Sequence, residues 1–277
     1  ILYMKNIHEI FLISDSTGET IDRIFTALKA QFKDFSYKTQ QFSFTRTENQ
    51  ITEILKEAKT KKNIIILYTL VDQKLALFLN ELSKKNNIPC FGVLGELIEN
   101  FSKILKKQSL NIPSRQHKLN EEYYERVEAI QFTMRHDDGN DVKDIEESDI
   151  ILLGVSRTSK TPTSIYLANR GYKTSNIPLV NENSIPEKIK KNKKKICVVG
   201  LTTDPERLID LRKNRLRSLK ENEKTDYTNL KKISEEVKAA RKTFKKYKWP
   251  VIDVTRKSVE ETAASIIKIH EINSRNE

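Results

Sequence analysis

Four consecutive apolar residues, Ile150 to Leu153, run directly into Gly154-Val155-Ser156-Arg157-Thr158-Ser159-Lys160-Thr161-Pro162. A short apolar run that ends on a glycine and a basic, hydroxyl-rich loop reads as a strand feeding a helix, and such a unit commits the chain to a sheet with crossover helices. The spacing is that of G-x-x-x-x-G-K-[ST], in which backbone N–H groups wrap a polyphosphate, the lysine meets its charge and the last hydroxyl ligates magnesium. Lys160 and Thr161 fill the last two places, so Gly154 to Thr161 is the candidate phosphate loop and Thr161 the candidate metal ligand. Ser159 stands where the second glycine belongs, and its Cβ limits how closely backbone and phosphate can approach. Pro162 suits the first turn of the helix expected over Ser164 to Arg170.

The same rhythm runs through the rest of the chain. Ile7 to Ser14 predicts a strand, Asp15 to Thr20 a polar loop, and Ile21, Ile24, Phe25 and Leu28 a helical period. Alternation at Phe42 and Phe44 suggests another strand, followed by a helix at Ile51 to Lys61, a strand at Asn63 to Leu70, a helix at Leu75 to Lys85 and a strand at Ile88 to Val93. From Lys106 to about Ile145 the periodicity weakens, apart from a short helix candidate at Glu121 to Ile130. Beyond the loop, strands are expected at Asn176 to Val180, Lys195 to Gly200 and Pro250 to Val254, with helices at Pro205 to Leu219, Leu230 to Tyr247 and Ser258 to Ile272. The expectation is an α/β chain of two mainly parallel-sheet domains, the C-terminal one with a P-loop. The boundaries are 1–107 for the first domain, 108–145 for a connecting segment and 146–277 for the nucleotide-binding domain. In such folds ligands collect at the carboxyl ends of the strands.

The formal charge of +12 and a pI near 9.4 point to an anionic partner, but both signs are interspersed. Lysines 190, 191, 193, 194 and 195 read as a solvated face, and nucleic-acid binding is not implied. Two cysteines, Cys90 and Cys197, sit in apolar runs as core residues, which suits a reducing cytoplasm. No apolar run is long enough to span a bilayer and no signal-peptide pattern opens the sequence, so a soluble cytoplasmic protein is expected.

Three further stretches could carry chemistry. The run Asp15-Ser16-Thr17-Gly18-Glu19-Thr20 is similar to the T-x-T-G-x-T loop of flavodoxins, but Asp15 and Glu19 would repel a flavin phosphate and no aromatic pair is evident to sandwich a flavin. It reads either as an N-capped turn or as an oxyanion site with Ser16, Thr17 and Gly18 as phosphate-binding candidates. His136, Asp137, Asp138 and Gly139 could supply a base or a magnesium carboxylate, or simply a turn. Arg207, Arg212 and Arg215 fall within about 140° of arc at about 100° per residue, a face suited to phosphate forks or an ordinary exposed basic face.

Taken in order, five pieces carry a family resemblance: S-D-S-T-G-E-T near the N-terminus, R-H-D-D-G at Arg135 to Gly139, L-G-V-S-R-T-S-K-T-P-T-S-I-Y-L-A at Leu153 to Ala168, G-L-T-T-D-P-E-R-L at Gly200 to Leu208, and W-P-V-I-D-V-T at Trp249 to Thr255. Over nearly its whole length the chain resembles the pyruvate, phosphate dikinase regulatory proteins and the related phosphoenolpyruvate synthase regulatory proteins. Thr158 and Ser159 look like the dikinase branch, where the synthase branch tends to carry R-C-G-K-T-P.

The resemblance implies a bifunctional enzyme. Its members phosphorylate a threonine beside the catalytic histidine of their target, with ADP as donor, and remove that phosphate by attack of inorganic phosphate, releasing pyrophosphate. It further implies the dikinase as protein partner, with a homodimer left open. The loop from Gly154 to Thr161 would hold ADP, Lys160 would neutralise charge on the transferred group, and Thr161 would position Mg2+. Asp137, helped by His136, is the nominated base, with Asp138 as the alternative. Rival readings are a regulator of the synthase, an ATP-dependent P-loop kinase of small molecules, and an ADP sensor without catalysis.

Overall fold

The computed structural model describes residues 7–117, 119–139, 143–191, 196–221 and 225–275. It divides into two compact units, Ile1–Lys118 and Leu119–Glu277. The first unit follows the order β1 (His8–Ser14), α1 (Glu19–Lys29), β2 (Tyr37–Phe42), α2 (Glu48–Lys59), β3 (Ile64–Thr69), α3 (Gln73–Lys85), β4 (Cys90–Gly92) and α4 (Gly95–Leu105). Its four strands are all parallel in the order β2-β1-β3-β4. Alternate residues of β1 feed opposite faces: Phe11 and Ile13 pack with Ile51, Leu55 and Leu79 from α2 and α3, while Ile10 and Leu12 pack with Ile21 and Phe25 of α1. Burial on both faces is why β1 reads as a near-continuous apolar run.

The second unit comprises α5 (Glu121–Arg135), β5 (Ile150–Gly154), α6 (Lys160–Ala168), β6 (Thr174–Pro178), α7 (Glu187–Lys191), β7 (Cys197–Thr202), α8 (Pro205–Ser218), α9 (Leu230–Lys246), β8 (Val251–Asp253) and α10 (Val259–Arg275). Its sheet is again four-stranded and parallel, in the order β6-β5-β7-β8. Ile151 and Leu153 face the cluster holding Leu208, Ile233, Val237 and Phe244 from α8 and α9, and Ile150 and Leu152 face Leu167, Ala263 and Ile266 from α6 and α10. The two-domain parallel α/β expectation therefore holds. In each sheet the first strand lies inside, its crossovers leave in opposite directions, and a switch point opens at its carboxyl end.

Several elements depart from the sequence reading. The strand near Phe42 ends there, because Phe44 takes a left-handed backbone, φ 56°, and donates its N–H to the Ser16 carbonyl at 2.9 Å. Helix α4 was not anticipated. The stretch expected to connect two domains, 108–145, is shared out: from Leu119 it belongs to the second unit, and α5 runs to Arg135 because Thr133 accepts the N–H of Thr174, 3.0 Å, at the edge of β6. Helix α6 starts at Lys160, four residues before the expected Ser164. Within the lysine run, Lys190 pairs with Glu187 on α7, and Lys193, Lys194 and Lys195 lie outside the described residues. Among the described residues no helix is long and apolar enough to cross a membrane.

Candidate active site

The loop Val155 to Ser159 leaves the carboxyl end of β5 and enters α6 at the switch point of the second sheet. Gly154 permits this path: a Cβ there would sit 2.6 Å from Thr158 Oγ1 and 2.7 Å from the Leu201 carbonyl oxygen. The loop is pinned from within, since buried Thr158 donates to the Val155 carbonyl at 3.0 Å. Two side-chain-bearing residues take left-handed backbones, Arg157 at φ 73° and Ser159 at φ 60°. Ser159 thus adopts the conformation that the second glycine of the motif would take without strain, and such outliers gather where function over-determines the backbone. No side chain caps α6, and its first residues, Lys160 and Thr161, line a cavity at the positive end of the helix dipole.

Lys160, the first residue of α6, is 5% exposed, and its Nζ donates to the Val155 carbonyl at 3.1 Å. Burial lowers its pKa to about 8, against the opposing pull of Asp138 and then Asp137. Thr161 donates its hydroxyl to Asp137 Oδ1 at 3.0 Å. Asn176 on β6 joins the group, with Nδ2 reaching Asp137 Oδ1 at 2.5 Å and Thr161 Oγ1 at 3.0 Å, and its backbone N–H donating to the His136 carbonyl at 3.0 Å. The edge strand β6 therefore holds the R-H-D-D-G segment against the head of α6. Sequence reading missed Asn176; the signal was a carboxamide directly before the apolar run Ile177 to Val180.

The two acids differ. Asp137 is half-buried and its Oδ1 is already shared by Thr161 and Asn176, whereas Asp138 is exposed, holds a left-handed backbone at φ 52°, and lines the cavity with Ser156, Arg157, Ser159, Lys160 and Thr161. His136 does not line it. Its ring is 1% exposed, stacks on Phe132 at 4.0 Å between centroids, and donates Nδ1–H to the Phe132 carbonyl at 2.8 Å. That ring belongs to the packing of α5.

The arginine face of α8 also divides. Arg207 and Arg215 are exposed, but Arg212 is 1% exposed and bonds Glu236 Oε2 at 2.6 Å, the Tyr227 carbonyl at 3.1 Å and the Ser156 carbonyl at 3.4 Å. It is committed to bracing the loop from behind, where the arc alone suggested a phosphate fork. The pieces Gly200 to Leu208 and Trp249 to Thr255 meet at the ends of β7 and β8, where Thr255 Oγ1 accepts the Asp204 N–H at 2.9 Å and Asp204 caps α8.

A basic loop at a parallel-sheet switch point, with a buried lysine at a helix N-terminus and acids across from it, defines a phosphoryl-handling enzyme of kinase type. The kinase/pyrophosphorylase family model matches residues 10–267, and the chain belongs to that family. A Pelagibacter ubique (strain HTCC1062) protein is 67% identical over 99% of this chain and 100% of its own length. An Erythrobacter litoralis (strain HTCC2594) protein is 45% identical over 96% and 95%, and one from Paramagnetospirillum magneticum is 40% identical over 97% and 85%. All three have been assigned the name pyruvate, phosphate dikinase regulatory protein.

Proposed function

We propose that this chain phosphorylates a threonine of pyruvate, phosphate dikinase with ADP as donor, and reverses the modification by attack of inorganic phosphate, giving pyrophosphate. The names of its relatives supply the target, and the family description supplies the pairing of kinase with pyrophosphorylase. The observation that carries the reading is the grouping of Thr161, Asp137 and Asn176 beside the buried Lys160, with Asp138 facing the same cavity.

In the forward direction the threonine oxygen bonds to the β-phosphorus of ADP, and the bond to the bridging oxygen breaks. AMP leaves with the electron pair, and the hydroxyl proton passes to Asp138. Loop N–H groups and the α6 N-terminus hold the phosphates, while Lys160 and Arg157 oppose the charge on the transferring group. Thr161 and Asp137 are hard-oxygen groups whose mutual distance, 3.0 Å, fits them to hold Mg2+, which takes one or two carboxylates plus substrate phosphates. When bound, the ion would neutralise phosphate charge. Asp138 suits the base better than Asp137, because its carboxylate faces the cavity while that of Asp137 is shared by two donors. In reverse, a phosphate oxygen attacks the phosphothreonine phosphorus, the bond to the threonine oxygen breaks, and that oxygen takes, through Asp138, the proton that the attacking phosphate gives up.

The test is incubation with ADP, Mg2+ and the dikinase, reading phosphothreonine and AMP. Both should form together. Faster transfer with ATP, in preparations freed of adenylate kinase, would point to a small-molecule kinase; modification of phosphoenolpyruvate synthase alone would move the target. ADP binding without any transfer would leave a sensor.

A further inference from the structure

The first unit repeats the strand order of the second, and its own first loop, Asp15 to Gly18, leaves β1 at the matching switch point. Helices α2, α3, α5, α8 and α9 each open on a side-chain cap, from Thr47, Asp72, Asn120, Asp204 and Asn229. Helices α1, α4 and α6 do not, and of these α1 and α6 start from a left-handed residue, Gly18 at φ 87° and Ser159 at φ 60°. The backbone of the first loop is turned one way by its neighbours. The Asp15 carbonyl accepts Arg46 Nε at 2.8 Å, the Ser16 carbonyl accepts the Phe44 N–H at 2.9 Å, and the Thr17 carbonyl accepts Gln41 Nε2 at 3.0 Å and Ser43 Oγ at 2.8 Å. With trans peptides throughout, the Gly18 N–H points to the side opposite Gln41 and Ser43.

On that side lies a cavity lined by Ser14, Asp15, Ser16, Gly18, Thr20, Thr69 and Arg115 among others. Hydroxyls converge there. Arg46 donates to Ser114 Oγ at 2.9 Å and Ser114 donates to Ser16 Oγ at 3.0 Å, which leaves the Ser16 proton for the cavity. Thr69, the last residue of β3, is 4% exposed and its hydroxyl has no hydrogen-bond partner, a state buried polar groups rarely keep. We infer that the first unit carries a second oxyanion site, built by the Ser14 to Gly18 loop, the N-terminus of α1 and the Thr69 hydroxyl, and that it takes a phosphate group.

Asp15 selects among oxyanions. It is 2% exposed, lines the cavity, and holds its carboxylate in place by accepting the Val71 N–H on Oδ2 at 2.7 Å. Beside it an oxyanion must share a proton, which phosphate or a phosphate monoester can bring and sulfate cannot. The phosphate could be free or carried on a protein side chain, and the same chemistry serves both.

The site goes beyond the activity proposed for the second unit and can be tested without it. In the full-length Lys160→Met chain, which silences the other loop, inorganic phosphate should shift the amide resonances of Gly18, Glu19 and Thr20. Adding Thr69→Val should weaken that binding at least about tenfold, the effect of losing one bond to a charged group. Ser16→Ala should do the same and serves if Thr69→Val does not fold. Sulfate should bind at least about tenfold more weakly than phosphate. N-acetyl phosphothreonine amide is the second probe: tighter binding than phosphate makes this a site for a phosphorylated side chain, and weaker binding makes it one for the free ion. Unmoved amides with both probes, or sulfate binding as tightly as phosphate, would overturn the inference, whatever the second unit does with ADP.

Discussion

Lys160 keeps an ammonium group 5% exposed, with a backbone carbonyl at 3.1 Å as its hydrogen-bond acceptor. Its pKa of about 8 lies below the ordinary 10.5, so between those values the folded chain binds fewer protons than the unfolded one. The destabilisation is complete below about pH 8 and is relieved as pH rises toward 10.5. By the size of the shift it amounts to about 3 kcal/mol. Lys160→Met should therefore raise the thermal midpoint at neutral pH while cutting ADP-dependent transfer at least about tenfold. A variant that is no more stable, or fully active, would remove the lysine from this role. The same shift makes ADP binding take up a proton just above pH 8, because bound phosphates restore the charge; calorimetry in buffers of different ionisation enthalpy reads this directly. The two neighbouring acids should separate kinetically. Asp138→Asn should lower kcat by roughly 10²- to 10⁴-fold with little change in magnesium requirement, whereas Asp137→Asn should chiefly raise the magnesium concentration needed. Equal effects of both on both parameters would dissolve the distinction between base and metal carboxylate.

At the scale of elements, the loop from Val155 to Ser159 is held from behind by α8 and α9. Arg212 joins the Ser156 carbonyl to Glu236, its guanidinium lies 4.5 Å from the Tyr227 ring, and the Tyr227 hydroxyl bonds Ser156 Oγ at 2.9 Å. Glu236→Ala leaves a buried guanidinium without its carboxylate. Because the Glu236 side chain is 38% exposed, the loss should fall below that of a fully buried pair, at about 2 kcal/mol by urea midpoint. The KM for ADP should rise with it, as Ser156 loosens. Arg212→Met should raise KM similarly with a smaller stability loss, since it buries no charge; a KM unchanged in both would make the brace purely structural. Much of this architecture was legible. Apolar runs ending in glycine or a polar loop gave β1, β3, β5 and β7, and the Asp204-Pro205 pair marked the start of α8. The place of Lys160 and Thr161 at the head of a helix that follows a buried strand could be read from spacing alone. Illegible were facts of tertiary packing. An arc of arginines does not say which one turns inward to a glutamate more than twenty residues away, and H-D-D-G does not say that the histidine stacks on Phe132 while the second aspartate faces the cavity. Helix α4 was legible too, since Leu97, Ile98, Phe101, Ile104 and Leu105 recur at helical spacing; what its sequence does not say is that the helix buries none of its residues.

For the whole molecule, two parallel sheets of like strand order share no evident sequence repeat, so their kinship is one of topology. The reverse reaction tests the proposed activity most sharply. Hydrolysis of a phosphothreonine by water commonly relies on a two-metal cluster or a cysteine nucleophile. Here the thiols of Cys90 and Cys197 are both pushed up to about 11 by burial, so neither supplies a thiolate at neutral pH. Among the described residues no group of three or more His, Cys, Asp or Glu is placed to hold a metal ion. Inorganic phosphate as nucleophile needs little deprotonation, but it must be brought against another phosphate, which calls for clustered cations and N–H donors. In the proposed reaction the loop would meet that need with Lys160, Arg157 and the uncapped head of α6. Arg212 adds its field from behind without touching the ligand. Dephosphorylation of the phosphorylated dikinase should therefore depend on added inorganic phosphate and yield one pyrophosphate for each phosphothreonine lost, and Lys160→Met should slow it together with the forward reaction. The measurement is phosphothreonine loss with and without phosphate, with pyrophosphate assayed separately. Full-rate loss in phosphate-free buffer, with orthophosphate as the product, would make the reverse reaction a hydrolysis and refute phosphorolysis.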